Sequence, residues 1–214
     1  MDRAFQDIFD VAHAFDGIQM AGRTDKWILE DAAARAGITL DQSSFQRFRT
    51  RYLERLLEAL SERPSKPAAS NGVLPGVRAL LDAITTPPFT SRVFPALLTG
   101  NCEDGARIKL EHYDLWRYFR CGAFGDDVDD RNDLFPVAMA RVAECGGSAA
   151  ASGDVIVVGD TTLDVACAAA AGARSVGVAT GPADTRQLKQ SGADVVFEDL
   201  SDVRAFLDLL NVQT

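Results

Sequence analysis

The stretch DVIVVGDTTLDVACAAAAGA, residues 154–173, decides the fold of this chain. Its apolar, mostly β-branched run over 155–158 is typical of a strand buried on both faces, and Gly159-Asp160 follow it directly. Asp164 stands at the start of the alanine-rich helical stretch that comes next. The pattern predicts a parallel strand with two carboxylates at its carboxyl end, where doubly wound sheets bind ligands.

Similar apolar runs alternate with helical stretches through the second half of the chain. The apolar runs cover 93–98, 155–158, 175–178 and 195–197, and the helical stretches lie near 103–118, 132–145, 161–171 and 201–211. Short continuous strands separated by helices favour a parallel sheet covered on both faces. We therefore predict an α/β, Rossmann-like core.

The first part of the chain has a helical pattern from Asp2 to about Arg63, and no strand is legible before Thr90. The clearest helix follows a start region at 41–44 and carries one apolar face, formed by Phe45, Phe48, Tyr52, Leu53, Leu56, Leu57 and Leu60. The segment PSKPAASNGVLPG, 64–76, concentrates helix-breaking residues and is the best linker. These patterns predict a helical domain over 1–70 and an α/β domain over 71–214.

The composition favours a cytoplasmic protein without a polyanionic partner. The 214 residues carry a net charge of −9 with lysine and arginine scattered, so no nucleic acid or anionic membrane is expected as a partner. No apolar run is long enough to span a membrane, and the N-terminal segment lacks the features of a signal peptide. The four cysteines have no metal-binding spacing and are expected to be free thiols. A monomer and a homodimer both remain open.

Asp160 and Asp164 are the candidate metal ligands. Two carboxylates at the carboxyl end of a strand suit Mg²⁺, which binds a few carboxylates, waters and a substrate phosphate. The alternative is structural: Asp160 caps the following helix, and Asp164 is a solvated acid of its first turn that the helix dipole favours.

A candidate phosphate cradle follows the apolar run that ends at Thr99. Gly100-Asn101 open a helix there, so a hydroxyl group and adjacent backbone N–H groups can together bind phosphate. The alternative is that Thr99 or Asn101 is a plain N-cap.

Arg131 is a third candidate, because it stands in an otherwise acidic loop just before a helix. A fixed cation at such a place can bind phosphate and offset crowded carboxylates. The alternative is a surface arginine paired with Asp129 or Asp130.

The order Thr99, Arg131, Asp160, Asp164 resembles motifs II, III and IV of the haloacid dehalogenase superfamily, in the branch like phosphoglycolate phosphatase. The resemblance covers nearly the whole chain, since FDGI at 15–18 and GRTD at 22–25 look like the helical cap of that branch. Arg131 stands where the family often has lysine. The resemblance implies a parallel-sheet core with an N-terminal α-helical cap.

The resemblance also implies a Mg²⁺-dependent phosphatase that acts on a small phosphorylated metabolite through an aspartyl-phosphate intermediate. Thr99 would hydrogen-bond the phosphoryl group, and Arg131 would stabilise that group together with the nucleophile. Asp160 would bind Mg²⁺, and Asp164 would bind or orient it.

The same resemblance extends the substrate site to three more residues. Gly100 and Asn101 would contribute to the phosphate cradle, and Arg23 of the cap would contact an anionic substrate. For Arg23 the alternative is a surface residue at the start of a helix.

The nucleophile expected from the resemblance, in a DxDGT motif before the cap, is absent: no DxD occurs in the first ninety residues. Three explanations are open: a start codon assigned too far downstream, a fragment or degenerate gene product, or a chain that kept only ligand binding. We rank the first highest because Thr99 and the GDTTLD segment look intact. The alternative function is therefore a non-catalytic phosphate- or metal-binding regulatory module.

Overall fold

A computed structural model describes residues 1–62, 72–148 and 150–210. The helices are α1 (Asp2–Phe9), α2 (Asp25–Arg35), α3 (Gln42–Ser61), α4 (Val77–Ile84), α5 (Glu103–His112), α6 (Leu134–Glu144), α7 (Thr162–Ala171), α8 (Thr185–Gln190) and α9 (Val203–Asp208). The strands are β1 (Leu97–Leu98), β2 (Gly122–Ala123), β3 (Ile156–Gly159), β4 (Arg174–Val178) and β5 (Val195–Phe197).

The strands form two parallel groups. β1 pairs with β2, while β4 lies between β3 and β5 in a second sheet. One hydrophobic cluster contains Val157 of β3 and Phe135 of α6, and Leu98 of β1 packs against it. Helix α6 therefore connects the two groups, and among the described residues no strand lies between β1 and β3.

Helices cover both faces of the β3–β5 sheet, as the apolar runs predict. Val176 and Val178 of β4 pack in one cluster with Leu80 of α4 and Phe206 of α9. On the opposite face, Val157 of β3 packs with residues of α6 and α7. The predicted α/β class with a parallel sheet is confirmed.

Helices α1, α2 and α3 pack around a separate apolar cluster that includes Phe5, Ile28, Leu29 and Phe48. The prediction of continuous helical structure in this region is wrong between α1 and α2. Asp10 adopts a left-handed conformation with φ 59° and ends α1, and the backbone then turns through Gly17 and Gly22, both at positive φ. The segment FDGI, 15–18, lies within this stretch, with Phe15 and Ile18 buried.

Several predicted bounds change in the structure. The apolar run 93–98 forms a strand only at its end, and the helix expected near 103–118 ends at His112 because Asp114 has φ 52°. Strand β2 and helices α4 and α8 were not predicted. The predicted linker 64–76 falls mostly on 63–71, outside the described residues, so the division near residue 70 stays a prediction. No helix in the described ranges has the length and apolar character to cross a membrane.

Candidate active site

Strand β3 ends at Gly159 and places Asp160 at its carboxyl end, with the side chain partly buried. Burial raises the pKa of the Asp160 carboxyl, and the neighbouring Asp164 carboxylate raises it further. Glycine makes room for Asp160, because a Cβ built at Gly181 would lie 2.3 Å from Asp160 Oδ2. The same is true of Asp164: a Cβ at Gly159 would lie 2.2 Å from its Cγ.

The Asp164 carboxylate is buried and already bound on both oxygens. Oδ2 accepts hydrogen bonds from the Thr161 backbone N–H at 3.0 Å and from Thr161 Oγ1 at 2.7 Å, within the capping box that begins α7. Oδ1 accepts a hydrogen bond from Arg131 Nη2. Asp164 is therefore not a solvated acid: it holds Arg131, and its role as a metal ligand stays a prediction.

Arg131 lies in a short 3-10 turn before α6, and its side chain is 13% exposed. It pairs with Asp164, so the alternative of a surface pair with Asp129 or Asp130 is wrong. Asp129 pairs with Lys26, and Asp130 accepts a hydrogen bond from the Asn132 N–H at 2.9 Å. Arg131 Nε is buried without a hydrogen-bond partner among the described residues.

Thr99 follows β1, and its Oγ1 accepts hydrogen bonds from Asn101 N at 3.2 Å and Asn101 Nδ2 at 2.9 Å. The next two N–H groups are also engaged: that of Cys102 donates to Asp25 Oδ2 at 2.9 Å, and that of Glu103 donates to Asp126. The N–H groups after Gly100 therefore bond within the protein, and Asn101 uses its side chain to hold Thr99. A direct substrate contact by Gly100 or Asn101 stays a prediction.

The segment 22–25 packs directly on the loops that follow Thr99 and Asp160. Asp25 N donates to Gly100 O at 2.7 Å. A Cβ at Gly22 would lie 2.8 Å from Thr161 Oγ1. The guanidinium of Arg23 is exposed and stacks over the Trp27 ring at 4.4 Å from its centroid. The fold thus brings the Arg23 segment to the edge of the crevice.

A cleft of about 280 Å³ adjoins Asp160 on the side of α4. It is lined by Leu74, Pro75, Val77, Val158, Gly159, Asp160, Val178, Thr180 and Leu200. Val158 is 43% exposed although it lies in a strand of the sheet. The cleft is therefore largely apolar, with one carboxylate at its rim.

The fold brings Arg131, Asp160 and Asp164 together, and it places Thr99 at the carboxyl end of the other strand group. Within the described residues no hydrogen bond joins Thr99 to these three. Sequence reasoning missed Lys109, whose Nζ donates to Asn101 Oδ1. It also missed Asp25, which resembles an ordinary first-turn acid after the Thr24 N-cap.

Comparison with known proteins agrees with this geometry. Residues 132–203 match a family profile described as HAD-hydrolase-like. The chain is 29% identical over 149 residues to a protein of Dickeya dadantii named "Probable phosphatase IndB", and it spans 62% of that relative's length. That match covers 70% of the present chain.

Solved structures share the fold at lower identity. A hydrolase from Pseudomonas syringae superimposes with a TM-score of 0.61 at 23% identity, over 89% of this chain and 80% of that one. A predicted phosphoglycolate phosphatase from Haemophilus somnus gives 0.64 at 17% identity, over 96% and 88%. The fold and the matches together place the chain among α/β proteins that resemble HAD-like hydrolases and phosphatases. These matches support the resemblance to the haloacid dehalogenase superfamily that the sequence predicts.

Proposed function

We propose that the protein is a Mg²⁺-dependent phosphatase that removes the phosphoryl group of a small phosphorylated metabolite. The observation that carries the proposal is the buried Arg131–Asp164 pair beside Asp160. Arg131 keeps a buried N–H donor without a partner among the described residues, and a phosphoryl oxygen suits such a donor. The cation and the open carboxylate thus flank one place where a phosphate can lie.

The carboxylates of Asp160 and Asp164 differ in how free they are to bind Mg²⁺ in this proposal. The Asp160 carboxylate accepts no side-chain hydrogen bond among the described residues, and burial together with Asp164 raises its pKa. A cation beside it would offset this penalty on its charged form. The Asp164 carboxylate accepts hydrogen bonds from Thr161 and Arg131, so it orients Arg131 and has less acceptor capacity left for a metal than Asp160 has. When bound, Mg²⁺ would neutralise negative charge on the phosphoryl group.

The nucleophilic aspartate of the proposed reaction comes from a strand placed between β1 and β3. Two observations support this placement. Both strands have a parallel partner on one side only among the described residues. Leu98 and Val157 pack in the same cluster. A strand inserted there in the parallel direction would end between Thr99 and Asp160.

The experiment compares the 214-residue chain with a version extended upstream, in frame, through any DxDGT motif. Both are assayed for Mg²⁺-dependent hydrolysis of p-nitrophenyl phosphate, with Asp160→Asn and Arg131→Met of the extended version as controls. We expect turnover by the extended version alone and a loss of at least about a hundredfold in both substituted forms. An extended, folded version without turnover would contradict the phosphatase proposal.

The second candidate, a non-catalytic phosphate-binding module, is favoured by one observation: Arg131 and Asp164 are assembled without the nucleophile. For this candidate, phosphate with Mg²⁺ should raise the melting temperature of the 214-residue chain, and neither version should turn over. Unchanged melting would count against it.

A further inference from the structure

The hydrogen bonds that the Thr99 hydroxyl already accepts leave only its O–H group for a further partner. A hydroxyl group has two acceptor lone pairs and one O–H donor. Asn101 fills the acceptor side, with its backbone N–H at 3.2 Å and its side-chain Nδ2 at 2.9 Å from Thr99 Oγ1. Thr99 can therefore only donate to any further partner.

Lys109 decides which end of the Asn101 amide faces Thr99. Its Nζ, on α5, donates to Asn101 Oδ1. An ammonium group has donors and no acceptor, so the amide oxygen must face Lys109 and the NH₂ group must face Thr99. Both side chains are partly buried, which limits competition from water.

We propose that Lys109 and Asn101 are positioning residues that hold the Thr99 hydroxyl as a hydrogen-bond donor to the bound phosphoryl group. Lys109 donates a hydrogen bond to Asn101, Asn101 donates one to Thr99, and Thr99 donates one to the ligand. We call this series of donors the relay. The nature of that ligand rests on the proposed function, whereas the order of donors rests on the contacts alone. Neither residue touches the substrate in this arrangement.

The substitution Asn101→Asp reverses the direction of the side-chain hydrogen bond to Thr99, and the side chain keeps nearly the same shape. The carboxylate has acceptors only, so it would pair with Lys109 and accept the Thr99 proton, turning that proton away from the ligand. We expect phosphate affinity to fall about tenfold, close to the loss in Thr99→Val. We also expect the melting temperature to be kept or raised, because an ion pair replaces the bond between Lys109 and a neutral amide.

The test is calorimetric titration of inorganic phosphate, in the presence of MgCl₂, into the chain and its variants. Lys109→Met should weaken binding several-fold, since the amide is then free to reverse, and Lys109→Arg should restore it. Arg107→Met is the matched control: it removes one positive charge from the same helix, where Arg107 is exposed and bonds to Glu103. The loss in Asn101→Asp should persist in about 0.5 M NaCl, which screens simple charge repulsion.

Two results would overturn the relay and leave the proposed function standing: Asn101→Asp binding phosphate within twofold of the unsubstituted chain at high salt, or Lys109→Met behaving like Arg107→Met. An unchanged affinity in Thr99→Val would also refute it, because Thr99 would then not reach the phosphate. Absence of phosphate binding by the unsubstituted chain would refute the relay, whereas the phosphatase proposal is decided separately by turnover of the extended version.

Discussion

Two aspartates in one short motif have different roles because their neighbours differ. Asp164 accepts hydrogen bonds from Thr161 and Arg131 and is buried, so it fixes the position of the arginine. Asp160 lies beside the cleft with its carboxylate open, and burial raises its pKa. The spacing of the motif is visible in the sequence, but this division of roles depends on Arg131, which comes from another element.

Arg131→Met should destabilise the protein by about 3 kcal/mol, because it leaves the Asp164 carboxylate buried without its cation. Chemical denaturation measures the change. The double variant Arg131→Met/Asp164→Asn is the control: it removes the uncompensated charge and should recover part of the loss. If the double variant is less stable than Arg131→Met, charge burial is not the cause.

Single residues show where sequence reasoning stops. Thr99, Arg131, Asp160 and Asp164 could be selected because each adjoins a strand end or helix start. Lys109 and Asp25 could not, because both sit at ordinary helix positions, and only the packing of α2 and α5 on the loop after Thr99 brings them to the site.

Among the elements, those with a strong apolar period were predictable and the shortest ones were not. Strand β3 overlaps its predicted range and ends one residue beyond it, and helix α7 lies within its range, since an apolar run and a capping box mark them. Strand β2 consists of Gly122–Ala123, which has no apolar run, and its pairing with β1 depends on the sheet. The early end of α5 follows from the left-handed backbone of Asp114, which the apolar period does not show.

Helix α1 is held to α3 by one carboxylate whose contribution should depend on pH. Asp7 Oδ2 accepts from Arg51 Nε at 2.7 Å and from Arg55 Nε at 2.8 Å. The bonds from Arg55 and Arg51 lower the pKa of Asp7 to about 2. This stabilisation is present above the unfolded pKa of about 4 and is lost as pH falls towards 2.

Asp7→Asn should therefore lower the melting temperature at pH 7 and have little effect near pH 2. Glu58→Gln, which removes a partner of Arg55 within α3 alone, is the control and should change the melting temperature less at pH 7. An equal effect of Asp7→Asn at both pH values would mean that the arginine pairs do not stabilise α1.

At the scale of the whole molecule, charged contacts hold the helical region against the core beside the site. Arg49 of α3 donates to Asp104 at 3.0 Å and to Asp126 at 3.2 Å, and Lys26 of α2 pairs with Asp129. Asp126 also accepts the Glu103 N–H at 3.1 Å. Arg49 thus supports the start of α5, and with it the loop that carries Asn101.

Arg49→Met should speed amide hydrogen exchange of Glu103 about tenfold, because Asp126 loses its cation and binds that N–H less firmly. Exchange in α7, to which Arg49 makes no hydrogen bond or ion pair among the described residues, should be unchanged. Arg47→Met, an exposed arginine of the same helix, serves as the charge-matched control. Faster exchange in α7 as well would indicate global loosening rather than a local effect.

Gly159 and Gly181 pack against Asp164 and Asp160, and they limit which substitutions could change the ligand preference of the crevice. Positions 159 and 181 have no space for any side chain, because the carboxylates themselves occupy it. Substitution at positions 159 and 181 can therefore neither enlarge nor narrow the crevice. Laboratory evolution for altered selectivity would instead have to substitute the exposed Arg23 and the apolar cleft residues Leu74 and Val77. Positions 159 and 181 would remain glycine.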